Sequence, residues 1–364
     1  MRKQNVFLYC TGIDDIVCGL PKVAGIQVQM WFWAKTFASH GWKVYSFSEK
    51  GIRLSDDSVR FVKLRQPRIL HTLHLQLVTE LLGCLKLGFI HPNLVVLRGA
   101  RRENFFVAIL CKLLSIKTVF FGASDVGFIP GKEQIAGSRK NTIIFRKSIR
   151  YIDYFVTQNE IQHDSLFFNY CRKSIVVPNI WLPTSRSKSR EKGYDVLWIA
   201  NLRPLKRAEW LLGLANSLPA RSFAMVGGPN DPKYYDYIEQ EANKIPNIDF
   251  IGAKPFNYVD NLLSNSKLLV CTSEFEGFPN TFLQAWANSI PVVSTVNPNK
   301  ILTEKGIGIY VETLEDLIQK VDNLLSDKQL YNLMKTNIKA YFEANHSNEV
   351  AYNKIIKLLD SELL

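Results

Sequence analysis

No stretch of the 364-residue sequence is apolar for long enough to suggest a membrane span. The most apolar long segment, residues 69–90, is broken by His71, His74, Gln76, Glu80 and Lys86, and its pattern predicts an amphipathic helix. No cleavable leader shows at the start either: "NVFLYC" is short, follows a single Arg-Lys pair and reads as a first strand. The six cysteines (Cys10, Cys18, Cys84, Cys111, Cys171 and Cys271) include no C-x-x-C pair, which excludes the common dithiol and zinc frameworks. Scattered free thiols fit a reducing cytoplasm, the expected location of the chain. His71 and His74 could share a helix face, but no further ligands lie nearby, so no metal site is expected. No nucleic-acid-binding module is recognisable, so that function would rest on charge alone.

What is present is the composition of a folded protein, 47% apolar and 21% charged, with length enough for two ordinary domains. The net charge of +12 is unevenly spread. Residues 1–178 carry 25 Lys and Arg against 12 Asp and Glu, whereas residues 179–364 carry 20 against 21. The whole excess therefore sits in the first half, where it suits an anionic membrane surface, a nucleic acid or simply a solvated basic face.

Short β-rich runs alternate with helical patterns along that half. The strands are "NVFLYC", "WKVYSFS", "RFVKL", "NLVVLRG", "KTVFFGA" and "YFVTQN", with helices such as Gln27–His40 and Glu103–Ser115 between them. Such alternation predicts an α/β fold with a doubly wound parallel sheet. After "SIVVPN", the polar, basic segment at 179–193 reads as a linker. The rhythm restarts with "YDVLWIAN", "SFAMVGG", "IDFIGA", "KLLVCTS" and "IPVVST", and the tail from Thr313 is helical. The expected organisation is two Rossmann-like domains facing a cleft, at 1–178 and 194–345. A final helical segment, 346–364, is expected to pack back toward the first domain.

One stretch, "SEFEGFPNTFLQAWANSIPVVST" from Ser273 to Thr295, has more order than a surface loop needs. "KLLVCTS" is a buried strand ending at Ser273, so Glu274 to Gly277 lie at its carboxyl end and Phe278 to Asn288 form a crossover helix. In an open parallel sheet that edge is where ligands bind, and the helix amino terminus offers unpaired N–H groups to an anion. At the same sheet edge, "ANLRPLKR" ends a strand near Asn201 and delivers Arg203, Lys206 and Arg207 beside a helix start. Cations there suit a diphosphate.

Together these two loops resemble the nucleotide-sugar site of the retaining glycosyltransferases of family 4, which have the GT-B fold. The family pattern E-G-x-P-x-x-x-x-E-A is matched at Glu276, Gly277, Pro279 and Ala285, with Gln284 in place of the second Glu. Its G-R-x-x-P-x-K-G loop is matched at Pro204 and Lys206; its Gly and Arg fall on Ala200 and Asn201, leaving Arg203 as the substitute cation. "VAGIQVQMWFWAKTFASHGWKVYSF", "FVTQNEIQ" and "VVPN" extend the likeness over nearly the whole chain, more loosely in the first half. The resemblance implies a glycosyltransferase that uses a nucleotide-sugar donor and needs no cofactor. The sequence holds no D-x-D triplet, which argues against the metal-dependent alternative fold.

The resemblance also implies roles. Glu276 hydrogen-bonds sugar hydroxyls, and Gly277, Phe278, Pro279, Asn280 and Thr281 face the sugar and phosphates. Arg203 and Lys206 neutralise the diphosphate, beside Asn201, and Gln284 grips the ribose. "GAKPF", with Ala253 and Lys254, holds the nucleobase. Gly25 either lets the backbone approach the donor phosphate or is a turn glycine. Asp125, in "FFGASDVGF", either orients the acceptor hydroxyl or accepts its proton, or else caps a helix. Lys140, Arg146, Lys147 and Arg150, interleaved with Ile143, Ile144, Phe145 and Ile149, form either a surface for acidic membrane, where lipid-linked acceptors reside, or a solvated helix face. Two other functions share these features: a nucleotide-sugar epimerase, and a weakly catalytic donor-binding subunit that the altered second Glu would suit.

Overall fold

The computed structural model of the chain describes residues 4–10, 12–20, 24–48, 58–63, 76–133, 139–182, 193–276 and 278–360. His71, His74, Gly277 and positions 183–192 of the expected linker lie outside them. The chain divides into two compact units, one from Met1–Cys18, Val23–Ile180 and Asn348–Leu364, the other from Gly19–Lys22 and Trp181–Ser347.

The first unit runs β1 (Asn5–Leu8), α1 (Ile13–Val17), α2 (Gly25–Ser39), β2 (Lys43–Ser48), β3 (Val59–Lys63), α3 (Gln76–Ile90), β4 (Leu94–Arg98), α4 (Glu103–Leu113), β5 (Lys117–Phe121), α5 (Arg139–Ser148), β6 (Tyr154–Thr157), α6 (Glu160–Tyr170) and β7 (Ile175–Val176). Its sheet has the order β3-β2-β1-β4-β5-β6-β7, with every neighbouring pair parallel. β4 and β6 are buried at every position, as expected of central parallel strands covered on both faces. Phe7, Val95, Leu97, Phe120 and Phe155 pack there against Leu87, Val107 and Phe145 of the covering helices.

The second unit repeats the design with β8 (Val196–Ile199), α7 (Glu209–Ser217), β9 (Phe223–Val226), α8 (Pro232–Ala242), β10 (Ile248–Gly252), α9 (Phe256–Ser264), β11 (Leu268–Cys271), α10 (Asn280–Ala287), β12 (Val292–Ser294), α11 (Ile301–Glu304), β13 (Gly308–Tyr310), α12 (Leu314–Ser326) and α13 (Lys328–Asn345). Its parallel sheet has the order β10-β9-β8-β11-β12-β13. Chain direction across the sheet reverses between β8 and β11, which pair through Leu268 with Val196 and Val270 with Trp198. Such a switch point opens a crevice beyond the strand ends. β13 goes beyond the sequence reading, because its Gly-Ile-Tyr lacks the β-branched Val-Val run that marked the equally short β12.

The last helix, α14 (Asn348–Asp360), belongs to the first unit. It lies on α2: the Tyr352 ring stacks on His40 at 3.6 Å, Trp42 Nε1 donates to the Tyr352 hydroxyl at 2.8 Å, and Glu349 pairs with His40 at 3.0 Å. The start of the expected linker is anchored. Ile180 and Trp181 are buried, and the Gln29 side chain both donates to the Ile180 carbonyl (2.8 Å) and accepts from its N–H (3.2 Å). An isolated pair of apolar residues within a polar stretch carries no period, so this anchor was invisible in the pattern.

Candidate functional site

At the switch point of the second unit, two loops separated by some seventy positions are stitched together by hydrogen bonds to backbone carbonyls. Beyond β8 the chain forms a 3-10 turn at Pro204–Lys206, and Arg207 follows in the left-handed region with φ 45°. That turn aims the Arg207 guanidinium at the other loop, donating to the carbonyls of Thr272 (2.7 Å) and Ser273 (3.3 Å) while lying 4.2 Å over the Trp210 ring. Thr272 Oγ1 donates to the Lys206 carbonyl at 2.7 Å, and the Glu274 N–H to the Leu205 carbonyl at 2.9 Å. Arg207 is therefore structural, and Arg203 and Lys206 remain for a ligand.

Both of these line a pocket of about 410 Å³, together with Asn201, Glu276, Phe278, Pro279, Asn280 and Thr281. Lys206 Nζ forms an ion pair with Glu276 Oε1, and Ser273 Oγ donates to the same oxygen at 3.2 Å. Arg203 is exposed, and its side chain makes no ion pair or hydrogen bond among the described residues. The geometry therefore offers one cation free for an anion and a second neutralised by a carboxylate until a ligand separates them. Pro279 precedes α10 without a side-chain cap, so the helix amino terminus adds N–H donors at the same wall.

The structure adds residues that the motif reading missed: Trp198, Asn230, Cys271 and Ser273 also line the pocket. Asn230 follows the Gly227-Gly228 pair after β9, and a side chain on Gly227 would strike the Ala200 carbonyl oxygen. That glycine pair is the signal that could have revealed this third loop, since it lets β9 end against β8. Burial holds the Cys271 thiol above its ordinary range, so it forms wall and not nucleophile.

Other expected residues fall elsewhere. Gln284 does not line the pocket. It is buried, with Nε2 donating to Asp260 Oδ1 at 3.2 Å, so its amide serves a carboxylate of α9. The expectation that it reaches out to a ribose is corrected to that extent. Ala253 and Lys254 follow β10 outside the pocket lining, with Lys254 Nζ 5.5 Å from the Tyr258 ring centre.

In the first unit, Gly25 is the first residue of α2, whose entry is fixed by Gln27 Oε1 accepting from the Ala24 N–H at 2.8 Å. Asp125 lies in a turn beyond β5 and caps no helix; Asn159 is the cap of α6. Its Oδ1 accepts from Asn159 Nδ2 and Gln162 Nε2, both at 2.9 Å, which fixes the carboxylate.

On α5 and the turn after it, Lys140, Lys147 and Arg150 are exposed, while Phe145 and Ile149 are core. Arg146 is corrected: it grips the buried Glu133 carboxylate through Nε (2.5 Å) and Nη2 (3.0 Å) and is not part of a free basic face. Burial alone would raise the Glu133 carboxyl, but the Arg146 hydrogen bonds hold it below its usual range.

Comparison with known proteins matches residues 183–341 to the family Glycosyl transferases group 1. The O-antigen biosynthesis glycosyltransferase WbnH of Escherichia coli is 27% identical over 162 residues, 44% of this chain and 46% of that protein. The chain thus spans less than half the length of the curated relatives it matches. Among solved structures, Anabaena Alr3699/HepE in complex with UDP and glucose superposes with a TM-score of 0.70 at 13% identity, covering 98% of this chain and 99% of that one. A candidate UDP-N-acetylglucosamine 2-epimerase from Listeria monocytogenes gives 0.65 at 12% identity, covering 99% and 97%. With the two parallel sheets, these likenesses establish the GT-B fold.

Proposed function

We propose that the chain is a retaining glycosyltransferase that moves a sugar from a nucleotide-sugar donor to a glycan or lipid-linked acceptor, in the synthesis of a surface polysaccharide or glycolipid. The observation that carries this reading is the convergence of Arg203, Lys206 and Glu276 on one pocket at the β8–β11 switch point. Breaking the bond between the anomeric carbon and the diphosphate leaves negative charge on the departing oxygen. Arg203 and Lys206 stabilise that charge directly, so the reaction needs no metal. Glu276, released from Lys206, accepts hydrogen bonds from sugar hydroxyls. The acceptor oxygen bonds to the anomeric carbon from the face the diphosphate leaves, and its proton passes to the departing phosphate. The group 1 match over this unit and the O-antigen relative support the assignment.

An epimerase would need acid and base groups beside the sugar. Among the described lining residues Glu276 is the one carboxylate, and it is paired with Lys206. We further infer that Lys140, Lys147 and Arg150 meet an anionic membrane at its cytoplasmic face. No helix among the described residues is long and apolar enough to cross one.

The test is a thermal-shift panel of UDP-, GDP- and ADP-sugars. One base should stabilise the protein, by about 2.7 kcal/mol at a donor concentration about a hundred times Kd. A panel without any stabilisation would overturn the reading.

A further inference from the structure

Phe89, in the last turn of α3, is 90% exposed, and Leu113, the last residue of α4, is 77% exposed. Leu85, one turn before Phe89 on the same side of α3, is 60% exposed. The two helix ends form one surface. They pack together, and Leu114 Cδ1 lies 3.7 Å from the position a Cβ on Gly88 would take. Phe89 and Leu113 are the chain neighbours of that contact. A phenyl and two isobutyl groups held together in water add nothing to the core, and a joined apolar patch of this kind marks a contact with a partner.

The charge around the patch selects the partner. α3 and α4 carry two carboxylates, Glu80 and Glu103, both in the amino-terminal halves of their helices and away from the patch. Residues 104–124 hold none, against Lys112 and Lys117. Lys112 is exposed beside Leu113, and the exposed Lys117 opens β5 a few residues on. Asp153 lies 3.9 Å from Lys112 Nζ, but its Oδ2 is taken by the Thr118 N–H and hydroxyl at 2.8 and 2.9 Å. A second copy of the same face suits this poorly, because the lysines would meet their own counterparts across a two-fold axis. The boundary of an anionic bilayer suits it well: apolar side chains enter the acyl region while ammonium groups meet the headgroups.

We propose that Leu85, Phe89 and Leu113 are a lipid anchor, which inserts into a bilayer containing anionic lipid while Lys112 and Lys117 hold its headgroups. The proposal rests on the membrane reading made above for Lys140, Lys147 and Arg150 and adds a second kind of contact to it. α5 packs against α4, so one layer of helices carries both the basic stripe and the anchor. Charge alone gives an attraction that salt removes. Inserted apolar groups give binding that salt leaves in place.

The test is flotation of the whole chain with phosphatidylglycerol–phosphatidylcholine vesicles, at low and high salt. Wild type should bind them and keep part of that binding at high salt. Phe89→Ser with Leu113→Ser should weaken partitioning by about tenfold or more and abolish the salt-resistant part, since two large apolar side chains no longer enter the lipid. Both positions are exposed, and thermal unfolding at the wild-type temperature checks that the variant is folded. Phe89→Trp reads insertion directly: its emission should shift to the blue on anionic vesicles and be quenched by brominated lipid. A serine variant that binds like wild type at both salt concentrations overturns the anchor. If reversing Lys140, Lys147 and Arg150 then abolishes binding, the electrostatic contact stands without it. No binding to any vesicle overturns both. Wild type sedimenting as a dimer and the serine variant as a monomer would place a second copy on the face and overturn the lipid anchor.

Discussion

Glu276→Ala is expected to lower turnover by about a hundredfold or more while donor affinity changes little, because the contact is stronger in the transition state than in the ground state. The ion pair with Lys206 sharpens this expectation. In the unliganded pocket each partner neutralises the other, so donor binding has to separate them: the diphosphate takes Lys206 and the sugar hydroxyls take Glu276. Alanine at 276 leaves Lys206 wholly available to the diphosphate. Donor affinity should therefore hold steady or rise as the chemical step slows. Single-turnover rates beside a donor titration make the check. An alanine variant with wild-type turnover would remove Glu276 from the mechanism.

Restoring the carboxylate at position 284 should harm the protein, contrary to what the motif suggests. From the sequence, Gln284→Glu looks harmless, a return to the family pattern. In the fold, however, Gln284 Nε2 donates to the buried Asp260. Glutamate there would set two carboxylates against each other out of water, and one would have to stay protonated. We expect a loss of about 3 kcal/mol at neutral pH. The sign with pH is fixed: a carboxyl whose folded pKa is raised costs stability as pH climbs above its unfolded value of about 4.3, and the penalty fades below it. Adding Asp260→Asn should restore most of the loss. Denaturation curves between pH 4 and pH 8, about the range that matters, decide it; equal stability of the glutamate variant and wild type at the upper end would refute the Asp260 contact. Glutamine at 284 is then a local accommodation to Asp260.

The sheets were legible because their strands are buried on both faces and read as unbroken apolar runs, as "NLVVLRG" and "KLLVCTS" do. β13 escaped because its Gly-Ile-Tyr carries no β-branched run like that of β12, and the Gln29–Ile180 anchor because a single buried contact leaves no pattern. At the candidate site, Glu276 and Lys206 could be found by their place at strand ends. Place at a strand end did not separate Lys206 from Arg207, adjacent cations in one loop; the family pattern did, by setting its Lys on Lys206. The left-handed backbone at 207 divides their tasks, and that conformation is unusual for a residue other than glycine. Arg146 was misread for a related reason: its buried partner Glu133 lies thirteen positions away and off the helix, where no helical spacing points to it. Asn230 has no motif of its own, and only the sheet order brings it to the crevice.

The central claim is that the pocket beyond β8 and β11 binds a nucleotide sugar through Arg203 and Lys206. Calorimetric titration tests it most directly, using whichever nucleotide sugar stabilises the wild-type protein, on wild type and on the Arg203→Ala/Lys206→Ala variant. Wild type should bind one donor per chain, and the variant about a hundredfold or more weakly, since two charge-assisted contacts to the diphosphate are lost. A variant that binds the donor as tightly as wild type would contradict the account.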